Sequence, residues 1–373
     1  MSPIKVGFVG LSKSGWASMA LAPPLLANEK YTLMAVSTSS KESAEASAAK
    51  YSETTGRKVK AYYGSTEQIA KDPDVELVVV SVKAPLHKQA LTPAIEAGKN
   101  FFVEWPAGKN TEETKSFAEA AKAKGLKTMV GLQGWHSPAI KKIKEIIDSG
   151  KIGKVMSTSI IAMVPREAHF WGPETTASIS YALDPDQGAT MLDIIIGQQL
   201  GPITHILGDF ASVSTTSATL YPTSTLVSDD GTPTGKTLQN RSPDHYAFNG
   251  ILTSGALINV VWRAGYKSTP GRQQFIWEID GEEGSIRVTC DQIGGGFFNV
   301  RYPDLYLNGE FVELERNAKT DPSGGYQGNT GAGWEEFAKG KEGVYPTIED
   351  AVKLHQLLDA IKLSGETGRR VDL

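Results

Sequence analysis

Residues Ile4 to Ala17 read Ile-Lys-Val-Gly-Phe-Val-Gly-Leu-Ser-Lys-Ser-Gly-Trp-Ala, an apolar strand that enters a glycine turn and then a helix start. That order of elements opens a nucleotide-binding βαβ unit. Gly10 and Gly15 stand at the first and third glycine positions of G-x-G-x-x-G, and Ser12 takes the second. Gly10 is expected to permit the tight turn and Gly15 to let helix and strand pack closely. Backbone N–H groups of the turn Ser12-Lys13-Ser14-Gly15-Trp16, with the dipole of the helix that follows, would hold a pyrophosphate.

The second strand, Tyr31 to Val36, decides which dinucleotide fits. An Asp or Glu at its end would bind a ribose 2′-hydroxyl and repel a 2′-phosphate. The sequence there is Ser37-Thr38-Ser39-Ser40-Lys41, with no carboxylate until Glu42. Hydroxyls of Ser37, Thr38 and Ser39 with the Lys41 ammonium read as a phosphate nest, so the expected cofactor is NADP(H). The alternative is a polar loop leading into a solvated helix face.

At 373 residues the chain exceeds one ordinary core, and two domains are expected. Charged residues make up 21% and the formal net charge is -4, with no long run of one sign. Neither a nucleic-acid surface nor a polybasic membrane patch is implied, and the expected partner is a small-molecule substrate. A single cysteine, Cys290, rules out an intrachain disulfide framework, and its place in a strand reads as a buried thiol. With no basic-then-apolar leader and no apolar run long enough for a membrane span, a cytoplasmic protein is expected. No His, Cys and carboxylate spacing suggests a metal.

From residue 1 to about 134, strands and helices alternate, and Leu77-Val78-Val79-Val80 is apolar on both faces, as a parallel strand covered by helices must be. The expected fold class is α/β: an N-terminal doubly wound parallel sheet, then an α+β domain over 135–373 with a large, mainly antiparallel open sheet. Pro23-Pro24 should interrupt or bend the first helical region. Alternating stretches such as Ala256 to Trp262, Gln274 to Ile279 and Ser285 to Cys290 read as strands of the second sheet. Ser214 to Arg241, rich in Ser, Thr, Gly and Pro, reads as a long exposed excursion. A last helix is expected over about 348–363.

Several pieces, in order, resemble the Gfo/Idh/MocA oxidoreductases: Val6-Gly7-Phe8-Val9-Gly10, Ala84-Pro85-Leu86-His87, Phe102-Val103-Glu104-Trp105-Pro106, and Asp280-Gly281-Glu282-Glu283-Gly284-Ser285. The resemblance implies a cofactor contact from Lys83, His87, Glu104, Trp105 and Pro106. It also implies a catalytic Lys in Glu-Lys-Pro, and an Asp and a His on one later helix. Here Trp105 replaces the Lys, Asp193 keeps the Asp position, and Gly197 falls on the His position with Gln198 beside it. Trp donates only through its indole N–H and Gly has no side chain, so both customary proton-handling groups are gone. Leu132-Gln133-Gly134, Ser137-Pro138 and Pro243-Asp244-His245 resemble a subgroup, the galactose-regulon repressors of yeasts, which bind NADP and regulate without known turnover.

Candidate catalytic residues are Asp193, as hydroxyl ligand or base; His136, as a substitute acid; Lys83, near the nicotinamide ribose or a substrate hydroxyl; and Tyr181, as another acid. Each has a bland alternative: a paired helix Asp, a loop His with a structural hydrogen bond, a solvated strand-end Lys, a scaffold Tyr. Trp105, Trp135, His136, His169, Trp171 and Gln198 are the candidate substrate contacts. Three readings remain open: an NADP(H)-dependent oxidoreductase acting on a polar carbonyl, alcohol or imine; a non-catalytic NADP-sensing regulator; and a non-redox isomerase or cyclase using the same pocket. In this family the broad second sheet commonly pairs with another copy, so a homodimer or homotetramer is expected.

Overall fold

A computed structural model describes residues 2–297, 301–315 and 325–373. They divide into two compact units, the first built from residues 1–136 and 317–353, the second from 137–316 and 354–373.

The first unit is a six-stranded sheet of β1 (Ile4–Val9), β2 (Tyr31–Thr38), β3 (Lys60–Tyr63), β4 (Leu77–Val80), β5 (Asn100–Glu104) and β6 (Thr128–Gly131). Their order is β3-β2-β1-β4-β5-β6. Every pairing is parallel. All four residues of β4 are 0% exposed, as its unbroken apolar run requires. Around the sheet lie α1 (Ala22–Leu26), α2 (Lys41–Thr55), α3 (Glu67–Lys71), α4 (His87–Glu96) and α5 (Thr111–Lys124). A π-helical turn over Ala17–Leu21 runs directly into α1, where Pro23-Pro24 lack N–H donors, and the Met19 carbonyl accepts the Gln327 amide at 2.8 Å. Ser40 caps α2, its Oγ accepting the Ser43 N–H at 3.2 Å.

The second unit begins with α6 (Pro138–Asp148) and β7 (Val155–Pro165), followed by β8 (Glu174–Thr176) and α7 (Gly197–Leu207). Then come β9 (Phe210–Ala218), β10 (Thr223–Val227), β11 (Pro233–Gln239), β12 (His245–Leu252), β13 (Leu257–Tyr266), β14 (Phe275–Gly281), β15 (Ser285–Cys290), β16 (Asp304–Leu307) and β17 (Glu310–Val312). After α8 (Tyr326–Ala338), which belongs to the first unit, α9 (Ile348–Thr367) and β18 (Val371–Asp372) close the chain. The large sheet runs β17-β16-β15-β14-β7-β13-β12-β9-β18. Only the central pair β7 and β13 is parallel. Its strands alternate as half-covered strands must: Ile258, Val260 and Trp262 of β13 are buried, whereas Leu257 and Val261 are 55% and 37% exposed. Trp262 donates its indole N–H to Gln199 Oε1 of α7 at 2.6 Å, which marks the covered face.

Three expectations need correction. The stretch 214–241 is not one loop: 214–218 end β9 of the large sheet, and beyond them β10 and β11 form a hairpin that adds to β8 as a separate three-stranded sheet. Its turn closes because Gly231 supplies a φ of +84° and Asp230 Oδ1 accepts from both Ser228 Oγ and the Thr232 N–H. The last helix extends to Thr367 rather than ending near 363. Finally, 135–373 is not wholly a second domain. Helix α8 completes the first core: Trp334 is 0% exposed, its ring lies 4.9 Å from that of Phe102, and its indole donates to the Leu21 carbonyl at 3.2 Å. Tyr31 donates its hydroxyl back to the Trp334 carbonyl at 2.6 Å. Trp334→Ala is therefore expected to destabilise the first unit by about 3–5 kcal/mol, read as a lower denaturant midpoint followed by circular dichroism. A loss below about 1 kcal/mol would show that α8 only leans on this unit.

Candidate functional site

The glycine turn stands where β1 meets helix, and Gly10 is fixed there by two independent demands. Its φ is +87°, and a Cβ at this position would lie 2.1 Å from the Ser81 carbonyl oxygen at the end of β4. Gly15 differs from expectation. Its φ is +104°, but a Cβ would meet nothing within 4 Å, so it serves backbone conformation beside open space and does not seat helix on strand. Ser12 Oγ donates to the Ser14 carbonyl, and Lys50 of α2 donates to the Lys13 carbonyl at 3.0 Å, bracing the turn. At the end of β2, Ser37 is only 2% exposed. Thr38, Ser39 and Lys41 remain at or near the surface beside the N-terminus of α2.

His87 also departs from the expected cofactor contact. It is fully buried, with Nδ1 2.8 Å from the Pro106 carbonyl and Nε2 3.0 Å from the Val82 carbonyl. Burial pulls its pKa down, and the neutral ring carries one N–H, so it donates to one of these two carbonyls at a time. Lys83 is exposed at the end of β4. Trp105 is 6% exposed and joined to Pro106 by a cis peptide. Trp135 is half-buried and His136 buried, the latter with its imidazole against Gly333 of α8, where a Cβ would come within 3.3 Å of Nε2.

In the second unit Asp193 is 2% exposed on the π-helical turn Leu192–Ile196 that leads into α7. Its Oδ2 accepts the Thr190 N–H at 2.9 Å and the Thr190 hydroxyl at 2.7 Å, a helix-capping exchange. Its Oδ1 takes the Lys362 ammonium of α9 at 2.6 Å. His355, also on α9, is pushed down to about 4, chiefly by burial; Asp193 opposes that shift and Lys362 adds to it. Asp193 is thus buried but ion-paired to a lysine that is 39% exposed, and a free base is not what this geometry presents. Gln198 is half-buried on the first turn of α7, beside Gly197.

The other candidates lie elsewhere in this unit. His169, in a left-handed conformation with φ 51°, has Nδ1 3.0 Å from Glu174 Oε2. Trp171 is 2% exposed and packs edge-on to Phe170, a core residue in place of the expected pocket rim. Tyr181 is half-buried in the 3-10 turn Ser180–Leu183, and burial raises its pKa, leaving a neutral hydroxyl at physiological pH.

One group gains a neighbourhood that no local motif announced. Glu104 ends β5 and is 8% exposed, yet no cation pairs with it among the described residues. Its Oε1 accepts the Trp16 indole N–H at 2.9 Å and the Gln133 amide at 3.0 Å, and Oε2 lies 3.1 Å from the same amide nitrogen. Gly131 makes room for it, since a Cβ there would fall 2.2 Å from Oε2. Burial pushes the carboxyl up to about 7 from an ordinary 4.5, against the opposing pull of these donors and the Trp105 N–H. A carboxyl raised on folding contributes stability that is intact below about pH 4.5 and lost as the pH climbs through about 7. Glu104→Gln should remove that slope: against wild type it gains about 2–3 kcal/mol between pH 4.5 and pH 8 in chemical unfolding. Parallel pH profiles for the two proteins would contradict this assignment.

Two family models match the chain: the oxidoreductase family with an NAD-binding Rossmann fold over residues 4–132, and the Gal80p C-terminal domain over residues 138–290. Dehydrogenase aclE of Aspergillus oryzae is 31% identical over 98% of this chain and 97% of its own length. The galactose/lactose metabolism regulatory protein GAL80 of Saccharomyces cerevisiae is 24% identical over 83% of this chain and 71% of its own. A crystal structure of a super-repressor mutant of that protein matches with a TM-score of 0.87 at 22% identity, covering 100% of this chain and 98% of its own. Levoglucosan dehydrogenase, solved with NADH and levoglucosan, matches at a TM-score of 0.77 and 20% identity, covering 99% of each chain. With a dehydrogenase similar along nearly its whole length, the parallel sheet and the mixed nine-stranded sheet are those of the Gfo/Idh/MocA oxidoreductase family, to which this chain belongs, with a second domain of the Gal80p type.

Proposed function

We propose that the protein is an NADP(H)-dependent dehydrogenase acting on a polar hydroxyl, carbonyl or imine group of a small, carbohydrate-like molecule. The observation that carries the nucleotide assignment is the pair of glycines: Gly10 held by the Ser81 carbonyl, and Gly15 opening the turn onto free space. Residues Ser12 to Trp16 would hold the pyrophosphate through backbone N–H groups at the start of the following helix. Thr38, Ser39 and Lys41, next to the capped N-terminus of α2, would take the 2′-phosphate, since no carboxylate stands there to repel it. When bound, the cofactor supplies hydride chemistry; the chain's own residues bind, orient and handle protons. Asp193, held by Thr190 and Lys362, is suited to orienting a substrate hydroxyl, and the neutral Tyr181 hydroxyl and His136 remain candidate donors.

A second reading has its own support. Trp105 and Gly197 stand where the family's Lys and His are expected, and the second domain is of the type found in a regulatory protein. A regulator would bind the nucleotide and transfer no hydride. Deuterium placed at the reactive carbon of NADPH separates the two: label arriving in a reduced sugar or imine supports the dehydrogenase, and tight binding without transfer across such a panel supports the regulator.

Association of two copies through the open sheet face is part of the same proposal. On that face Ile161 of β7 lies between Val261 of β13 and Ile276 of β14, an apolar strip across three strands, and Leu257 lies two same-face rungs along, beyond the polar rung Asn259–Ser159–Glu278. Such an apolar strip on an exposed sheet favours a second copy.

Two outcomes are expected. NADPH should bind more tightly than NADH in calorimetry, and Lys41→Glu should cut NADPH affinity at least about tenfold while changing NADH little. Equal loss for both nucleotides would remove the 2′-phosphate assignment. Light scattering should give a dimer or a multiple of it, and Val261→Lys should shift it toward the monomer; an unchanged mass would place the contact elsewhere.

A further inference from the structure

The loss of the strand-end lysine and the helix histidine leaves the chemistry without an obvious holder for one proton. Oxidising an alcohol to a carbonyl delivers a hydride to the nicotinamide and releases a proton, and reduction needs that proton back. The first unit contains a group placed for this task. Glu104 is the last residue of β5, at the carboxyl edge of the parallel sheet where open α/β sheets bind their ligands. Its hydrogen bond to Trp16, the residue directly after Gly15, ties it to the glycine turn itself.

The surroundings of this carboxyl are unlike those of a structural carboxylate. Its donors, the Trp16 indole, the Gln133 amide and the Trp105 N–H, are all neutral. Of the titratable groups on neighbouring elements, His87 lies between the Val82 and Pro106 carbonyls, His136 packs on Gly333, Lys83 is exposed, and Tyr326 of α8 lies ring to ring with Trp16 at 6.0 Å. A negative charge buried without a counter-charge responds strongly to any positive charge that comes close. An oxidised nicotinamide ring is cationic and a reduced one is neutral.

Resting on the nucleotide reading above, we propose that Glu104 is the proton-holding group of this site: its carboxyl is ionised beside an oxidised nicotinamide, protonated beside a reduced one, and Trp16 couples that change to the glycine turn. The balance closes. An alcohol R₂CH–OH gives its hydride to the oxidised ring and its hydroxyl proton to the Glu104 carboxylate; the C–H and O–H bonds break, the carbonyl π bond forms, and the pair of charges present at the start is gone at the end. Reduction runs the same steps backwards. In a non-catalytic protein the same carboxyl would distinguish NADP+ from NADPH.

Proton counting tests this without turnover. Calorimetric titrations at pH 7 in phosphate and in Tris, whose ionisation enthalpies differ, give the protons exchanged on binding. Wild type should release about half a proton with NADP+ and take up about half with NADPH. Glu104→Gln should exchange close to none with either. Trp16→Phe removes a donor that favours the ionised form, so release with NADP+ should move toward a whole proton and uptake with NADPH toward zero. If Glu104→Gln does not fold, infrared difference spectra of the wild type decide: a protonated-carboxyl C=O band should be present with NADPH and absent with NADP+. Equal proton counts for the two nucleotides in the wild type, or a difference that survives Glu104→Gln, would overturn the proposal. Failure of the wild type to bind either nucleotide would instead overturn the reading beneath it.

Discussion

The left-handed backbone at Gly10, pressed against the Ser81 carbonyl, is the constraint on which the rest of the first unit depends. Any side chain there would collide with the exit of β4. Because the collision is with backbone, no rotamer can relieve it. The chain therefore leaves β1 in one direction only, which sets the path of Ser12 to Trp16 and brings the Trp16 indole onto Glu104 at the end of β5. Gly131 grants Glu104 its space from the β6 side. Four parallel strand ends, those of β1, β4, β5 and β6, are linked in this way by two glycines and one buried carboxyl.

Much of this was legible in the sequence because it is local. The unbroken run Leu77 to Val80, the glycine spacing after β1 and the alternation in β13 and β14 each express a period or a backbone demand within a few residues. What the sequence did not disclose is distant. Lys362 meets Asp193 across 169 positions, and nothing in the amphipathic last helix marks that lysine among its neighbours. Trp334 returns to the first core after all but the last strand of the second sheet, so a composition boundary near 134 missed it. Gln133 lay inside a quoted motif, but its amide acquires meaning only beside Glu104. His87, implied as a cofactor contact by the family resemblance, and Trp171, expected at the pocket rim, are both buried, which no local residue pattern discloses.

The two halves of the candidate machinery differ in kind. In the second unit Asp193 is satisfied: capped by Thr190 and paired with Lys362, it is a fixed dipole rather than a reactive carboxylate. In the first unit Glu104 is hydrogen-bonded by neutral donors, with no cation paired to it among the described residues. With Trp105 directly after Glu104, the ionisable group at this strand end is a carboxyl. A chain of this composition keeps the architecture of a dehydrogenase while lacking its usual acid, and both an altered enzyme and a cofactor-reading regulator are built from such parts.

The central claim is that the glycine turn and the end of β2 cradle a phosphorylated dinucleotide. Amide hydrogen exchange with and without NADPH measures this most directly. Protection concentrated in residues 10–19 and 38–44, with β14 and β15 unchanged, is the result the account requires. An exchange pattern in which those two segments are untouched by saturating NADPH or NADH would contradict it.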